Sequence, residues 1–188
     1  MLYQDARPHI QSGDLIAFSG KAGVGGLIRS WTGASYSHVG IACWFDIDGI
    51  GKRLALIESK EGKGVTIRAL SQAGPFYWVT HEGKWGYLPF EFAWTRAGVA
   101  NYDWTSVLNR VLGRDPVRDD QYICSEMAGE ILARQGLPIS PHDFGDPGRL
   151  VDAVLTCGGS ITKVMHVVDL ADEVSRYVVA ARHLPQPA

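Results

Sequence analysis

Short apolar runs separated by glycine-rich and polar turns occupy the first half of the chain. This pattern predicts β-strands at residues 14–18, 37–44, 53–58, 65–68 and 76–80. The second and third of these strands are joined by a turn-rich stretch at 46–51, which predicts a β-hairpin. A glycine-rich loop at 20–26 leads into a brief helix that we expect to end near residue 31.

Helical periodicity replaces this pattern in the second half of the chain. We predict short helices at 90–98 and 103–112, and a longer helix at 123–135 that Gly136 closes. The apolar side chains of the longer helix lie along one stripe, formed by Ile123, Met127, Ile131 and Leu132. A strand at 161–168 and a polar tail follow. Strands first and helices after them predict an α+β domain with a small antiparallel sheet packed against helices.

Length and composition fit one globular domain. The chain has 188 residues, of which 46% are hydrophobic and 20% charged, and we expect the folded core to span about 12–168. The net charge is -2 without a basic stripe, which argues against a nucleic-acid partner. No apolar run approaches the ~18 residues of a membrane-spanning helix, so we expect no stable membrane insertion. The oligomeric state stays open.

The cysteines, the histidines and the amino terminus bear on compartment and cofactors. Three cysteines at scattered positions do not suggest a disulfide framework, and the first residues lack the apolar run of a signal peptide. We therefore expect a cytoplasmic protein, with delivery to a cell wall by lysis, secretion or phage left open. The histidines and cysteines show no metal-ligand spacing, so we expect neither a metal nor an organic cofactor.

A histidine beside small residues on a strand face is the first candidate for chemistry. Because side chains alternate along a strand, the apolar Val39, Ile41 and Cys43 should face the core. His38 then stands on the opposite face. If the hairpin pairs about the middle of its turn, Glu58 lies directly opposite His38. A carboxylate there would fix the imidazole tautomer and stabilise the imidazolium.

Cys124 begins the clearest predicted helix. Free backbone amides and the positive dipole end at a helix start favour the thiolate form of a cysteine, and the same amides can hold an oxyanion. With His38 as base and Glu58 orienting it, Cys124 would be the nucleophile of a cysteine hydrolase. Each residue also has a structural interpretation: Cys124 as a buried small hydrophobe, His38 as a satisfied strand residue, and Glu58 as a solvated charge.

Three motifs in order along the chain favour the catalytic interpretation: SHVGIACW, LIES and YICSEM. Together with SGDLIAF, ANYDW and ISPHDF, they resemble the permuted branch of the NlpC/P60 (papain-like) superfamily, in particular the YiiX-like proteins. The resemblance covers roughly residues 12–144. It implies a circularly permuted papain-like fold in which the site residues follow the order His, Glu, Cys.

The resemblance also implies roles for particular residues. Cys124 matches the family's nucleophile, His38 its base, Glu58 the group that orients the base, and Tyr122 a tyrosine near the oxyanion site. The expected activity is that of a cysteine peptidase or amidase acting on a small peptide or peptidoglycan fragment through a cysteinyl acyl-enzyme. Two alternatives stay open. One is a lipid acyltransferase or thioesterase that uses the same Cys–His pair, and the other is a catalytically silent binding module.

Overall fold

The computed structural model describes residues 1–20, 35–82, 88–103 and 122–166. Most of the predicted loop at 20–26, the helix after it, nearly all of the predicted helix at 103–112, and the polar tail lie outside these ranges. None of the helices within the described ranges is long and apolar enough to cross a membrane.

A six-stranded antiparallel sheet lies at the centre of the described chain. Its strands are β1 Leu15–Phe18, β2 His38–Ile47, β3 Gly51–Lys60, β4 Gly64–Ala69, β5 Phe76–Thr80 and β6 Ser160–Val164. They are arranged in the order β4-β3-β2-β1-β5-β6, and all neighbouring pairs are antiparallel. The five strands predicted in the first half are confirmed. The last strand begins near its predicted position and ends earlier, at Val164.

Helices account for most of the remaining regular structure. The α-helices are α1 Tyr3–Ala6, α2 Leu88–Trp94, α3 Cys124–Arg134 and α4 Pro147–Thr156, and short 3₁₀ turns lie at Leu70–Gln72 and Pro141–Gly145. Helix α3 confirms the clearest helix prediction, whereas α2 ends before the predicted residue 98. Helix α4 has no counterpart among the predictions, although Asp146 caps it by accepting a hydrogen bond from the Arg149 amide at 2.9 Å.

Helices α3 and α4 pack on one face of the sheet and enclose the larger hydrophobic core. Val39, Ile41 and Cys43 of β2 lie in this core, as their alternation predicts, together with Met127 and Ile131 of α3. Burying a side chain of the size of Val, Ile or Met stabilises a fold by about 1.5–3 kcal/mol. The contact between the apolar stripe of α3 and the apolar face of β2 therefore fixes the helix against the sheet.

A smaller core lies on the opposite face of the sheet and includes the amino-terminal segment. Ala6 and Ile10 are buried there with Ile16 of β1, and the Tyr3 amide donates to the Met165 carbonyl at 2.8 Å. The expectation that the core begins near residue 12 is therefore wrong at this end. Helix α1 and the turn after it cover apolar side chains of the sheet.

Asp14 is a buried carboxyl group just before β1. Its Oδ2 accepts hydrogen bonds from the Gln11 amide and from the Trp78 indole, each at 2.7 Å. Burial raises the pKa of Asp14 to about 6, although both hydrogen bonds oppose the shift. Because the folded-state pKa is raised, the fold loses stability as the pH increases from the ordinary aspartate pKa towards 6.

We expect Asp14→Asn to be more stable than the native protein by roughly 1 kcal/mol at about pH 8, and no more stable at about pH 4. The asparagine carbonyl keeps an acceptor for Gln11 and Trp78 but carries no charge to desolvate. Urea unfolding at the two pH values measures the difference. Lower stability of the variant at both values would show that the ionised carboxylate stabilises the fold.

Candidate active site

The β2–β3 hairpin brings His38 and Glu58 together. The predicted contact is confirmed, since His38 Nε2 lies 2.6 Å from Glu58 Oε2. The predicted register is wrong, however. Ile41 pairs with Ile57, so Glu58 lies opposite Gly40 and diagonal to His38. The turn is centred one residue later than predicted, which displaces the pairing by two residues and leaves Glu58 on the predicted face.

Gly40 makes the diagonal contact feasible. A Cβ atom at this position would lie 2.6 Å from the Ile57 carbonyl oxygen, 2.7 Å from Leu56 Cδ1 and 3.2 Å from Glu58 Cβ. These distances leave room for a hydrogen atom and for nothing larger. Without a side chain in the way, Glu58 extends along the strand and reaches the His38 ring.

Glu58 is a carboxylate that solvent barely reaches, with 1% of its side chain exposed. Its Oε1 accepts a hydrogen bond from Arg68 Nε of β4 at 2.6 Å, while its Oε2 contacts His38. Burial alone would raise its pKa, but the hydrogen bonds and charges of His38 and Arg68 lower the pKa of Glu58 to about 2. Glu58 is therefore ionised at neutral pH. Sequence reasoning missed Arg68, which comes from a third strand.

Cys124 is the first residue of α3. The residue before it, Ile123, occupies the cap position with an apolar side chain that makes no capping hydrogen bond. The Met127 amide bonds to the Ile123 carbonyl and begins the helical ladder. The amides of the first turn, including that of Cys124, therefore have no partner within the helix. These donors and the positive dipole end suit a negative charge that develops beside the thiol.

The Cys124 thiol is a direct neighbour of the His38 imidazole. Burial lowers the pKa of His38, but the charge and hydrogen bond of Cys124, followed by those of Glu58, outweigh burial and raise it to about 9. Since His38 Nε2 bonds to Glu58, the other ring nitrogen, Nδ1, is the one available to the thiol. Cys124 is 3% exposed and the His38 side chain 25% exposed, so the site opens to solvent at the imidazole.

A buried serine on β3 positions the start of α3. Ser59 Oγ donates a hydrogen bond to the Tyr122 carbonyl at 2.5 Å, and Tyr122 also forms a parallel bridge with Tyr102. Ser59 directly follows Glu58 along the chain. The strand that carries the carboxylate therefore also holds the backbone two residues before Cys124, and this connection positions Cys124 relative to Glu58.

The two tyrosines of this bridge have different surroundings. The Tyr122 hydroxyl accepts a hydrogen bond from Arg96 Nε at 3.0 Å, and its ring packs edge-on against Phe92. Tyr102, in contrast, interacts electrostatically with Cys124. Burial, and then the charge of Cys124, raise the pKa of Tyr102 well above its ordinary value. Its hydroxyl stays protonated and can donate. Sequence reasoning overlooked Tyr102, although it lies in the ANYDW motif.

The other two cysteines lie outside this site. Cys43 is buried in the larger core, and burial raises its pKa to about 12. Cys157 is half-buried and follows the last residue of α4. Within the described ranges, no three His, Cys, Asp or Glu side chains converge as they would around a metal ion.

We expect iodoacetamide to modify Cys124 first among the three cysteines of the native protein. Cys124 lies at a helix start beside the His38 imidazole, surroundings typical of reactive cysteines, whereas burial keeps Cys43 a neutral thiol. Mass spectrometry of samples taken over time measures the three rates, and we expect Cys124 to react at least about tenfold faster than Cys157. His38→Ala should remove this preference. Equal rates at all three positions in the native protein would contradict an activated Cys124.

No protein-family model matches the chain, and no curated protein sequence is significantly similar to it. What the site does is therefore inferred from its geometry. A thiol at a helix start, an imidazole that interacts with it and a carboxylate in contact with the imidazole are groups that can support nucleophilic catalysis by the thiol.

Proposed function

We propose that the protein is a cysteine-dependent hydrolase that cleaves an amide bond through a cysteinyl acyl-enzyme. The observation that carries this proposal is the continuous series of Cys124, His38 and Glu58. The imidazole contacts the carboxylate at 2.6 Å, and its interaction with the Cys124 thiol raises the His38 pKa. A histidine with a purely structural role needs neither a neighbouring thiol nor an ionised carboxylate, so the structural interpretation leaves this combination unexplained.

In the proposed reaction, His38 accepts the thiol proton and Cys124 Sγ attacks the carbonyl carbon. A C–S bond forms, and the carbonyl oxygen takes the negative charge of the tetrahedral intermediate. The intermediate collapses with cleavage of the C–N bond, and His38 delivers its proton to the leaving amine. Water then attacks the thioester with His38 again as base, which releases the carboxylic acid and restores the thiol. Glu58 stabilises the imidazolium in both halves.

We assign oxyanion stabilisation to the backbone amide of Cys124 and to the hydroxyl of Tyr102. The amide lies in the first turn of α3 and has no intrahelical partner. Tyr102 takes the role that the resemblance implies for Tyr122, because the charge of Cys124 acts on Tyr102, whereas the Tyr122 hydroxyl lies at Arg96 and its ring against Phe92. One preorganised donor of this kind contributes about 10²–10³-fold to kcat.

We expect Tyr102→Phe to lower kcat by about 10²-fold with little change in KM, because the hydroxyl acts on charge that exists only in the transition state. Tyr122→Phe is the matched control. It removes one hydroxyl that bonds to Arg96 and should retain most of the activity. Steady-state kinetics of both variants, with circular dichroism to verify folding, measure the contrast. A larger loss in Tyr122→Phe would return the role to Tyr122.

The substrate class that we propose is a peptide of the peptidoglycan type. The motifs around His38, Glu58 and Cys124 resemble the permuted NlpC/P60 superfamily. A six-stranded antiparallel sheet packed against a helix that begins at the cysteine is compatible with a permuted papain-like domain. The negative charges of Glu61 and Glu126 act on Tyr102, as the charge of Cys124 does. Such charge suits a substrate with a free amino group better than an uncharged acyl chain.

Incubation with muropeptides and, separately, with phospholipid vesicles tests this proposal. We expect mass spectrometry to show hydrolysis of a muropeptide amide by the native protein and none by Cys124→Ala. Acyl transfer from the phospholipid with intact muropeptides would instead favour a lipid acyltransferase or thioesterase. Inertness toward both substrates would favour a binding module.

A further inference from the structure

Arg68 contacts the carboxylate of the site but takes no part in the steps above. It projects from β4, where it pairs with Leu56 of β3, and its Nε donates to Glu58 Oε1 at 2.6 Å. The Arg68 side chain is 27% exposed, whereas that of Glu58 is 1% exposed. The guanidinium therefore lies between solvent and a carboxylate that is otherwise enclosed.

An enclosed carboxylate depends on its positive partners. Burial favours the neutral form of Glu58, and the charges that oppose burial come from His38 on β2 and Arg68 on β4. If Arg68 were removed, only the positive charge of His38 would still act on Glu58. A carboxyl group with one cationic partner takes up a proton at a higher pH than one with two. Once protonated, Glu58 no longer stabilises the His38 imidazolium.

We propose that Arg68 is a positioning residue that keeps Glu58 ionised and in one orientation, and thereby supports the thiolate–imidazolium pair of Cys124 and His38. This inference rests on the proposed roles of His38 and Glu58. The charge-assisted hydrogen bond to Oε1 fixes the carboxylate plane, so that Oε2 stays directed at the imidazole. A guanidinium suits this task because its planar array of donors has a fixed geometry.

Alkylation of Cys124 by iodoacetamide measures the ion pair directly and needs no substrate. We expect Arg68→Gln to slow alkylation about tenfold at about pH 6 and twofold or less at about pH 8, since Glu58 with a single cationic partner takes up a proton more readily at the lower pH. Arg53→Gln is the matched control. It removes an exposed arginine from the neighbouring strand β3 and should change neither rate.

A double-mutant cycle separates an effect through Glu58 from a structural effect. In the Glu58→Gln background, we expect Arg68→Gln to change the rate less than about twofold, because the carboxylate on which Arg68 acts is gone. Added guanidinium ion should restore alkylation of Arg68→Ala, whose missing side chain opens to solvent, but not of the variant that also carries Glu58→Gln. Thermal unfolding verifies that each variant is folded. If Arg68→Gln does not fold, Arg68→Lys takes its place, with a smaller loss expected at about pH 6.

A loss of rate that is equal at both pH values, or that persists in the Glu58→Gln background, would overturn the role of Arg68. A muropeptide amide left intact by the native protein would overturn the proposed hydrolase function instead. The two failures are distinguishable because alkylation depends on the ion pair and not on any substrate.

Discussion

Cys124→Ala is expected to lower kcat/KM for amide hydrolysis by at least about 10⁴-fold, because the variant has no atom that can form the acyl-enzyme. His38→Ala should lose a similar amount. The double variant should lose little more than either single one, since nucleophile and base act as a unit. Steady-state kinetics with a muropeptide substrate measure the three losses.

Cys157→Ala is the control for these variants. It removes a half-buried thiol beyond the end of α4, outside the site, and should keep native activity. The fold should survive Cys124→Ala, because alanine is smaller than cysteine and suits the start of a helix. Hydrolysis that persists in folded Cys124→Ala would contradict covalent catalysis by this residue.

Gly40→Ala is expected to have the largest effect on stability, and it should damage the site as well. A Cβ atom there would lie 2.6 Å from the Ile57 carbonyl oxygen, so strands β2 and β3 must move apart. Overpacking of this kind costs about 1–3 kcal/mol, and we expect the upper end because the obstacle is backbone. Glu58, whose Cβ would be 3.2 Å from the added atom, should also lose its contact with His38. Urea unfolding and alkylation of Cys124 measure the two effects.

Gly74→Ala is the matched control for Gly40→Ala. Nothing lies within 4 Å of a Cβ atom built at Gly74, so the same change in composition should leave stability and alkylation nearly native. If Gly40→Ala were as stable and as reactive as Gly74→Ala, strands β2 and β3 would have room for a side chain at position 40, contrary to the distances above.

The hairpin shows how far sequence reasoning reaches in this protein. Alternation along β2 correctly predicts which side chains face the larger core and that His38 stands on the other face. It also predicts the contact between His38 and Glu58, because a shift of the register by two residues leaves every side chain on its face. The exact pairing depends on which residues form the middle of the turn, and the polar and glycine residues there are compatible with more than one turn position. Gly40 therefore ends up opposite Glu58 where His38 was expected.

Side-chain contacts between different elements were beyond the reach of local patterns. Arg68 reaches Glu58 from β4, and the alternation within one strand does not reveal which neighbouring strand will supply a charge. The surroundings of Tyr102 and Tyr122 likewise depend on a bridge between two segments that no periodicity pairs. Helix α4 is a different case, since the sequence Asp146-Pro147 is a typical helix start and could have been recognised.

The contacts that build the site join residues at very different separations along the chain, and this difference affects the order of folding. His38 and Glu58 are 20 residues apart, whereas the bond from Ser59 to Tyr122 closes a loop of 63 residues. Closing the longer loop costs about 1 kcal/mol more in chain entropy, so we expect the hairpin to form before α3 docks. Cys124 then comes beside His38 only in a late, long-range step. A newly synthesised or partly unfolded chain would therefore expose a cysteine that lacks the neighbouring imidazole and helix start of the folded protein.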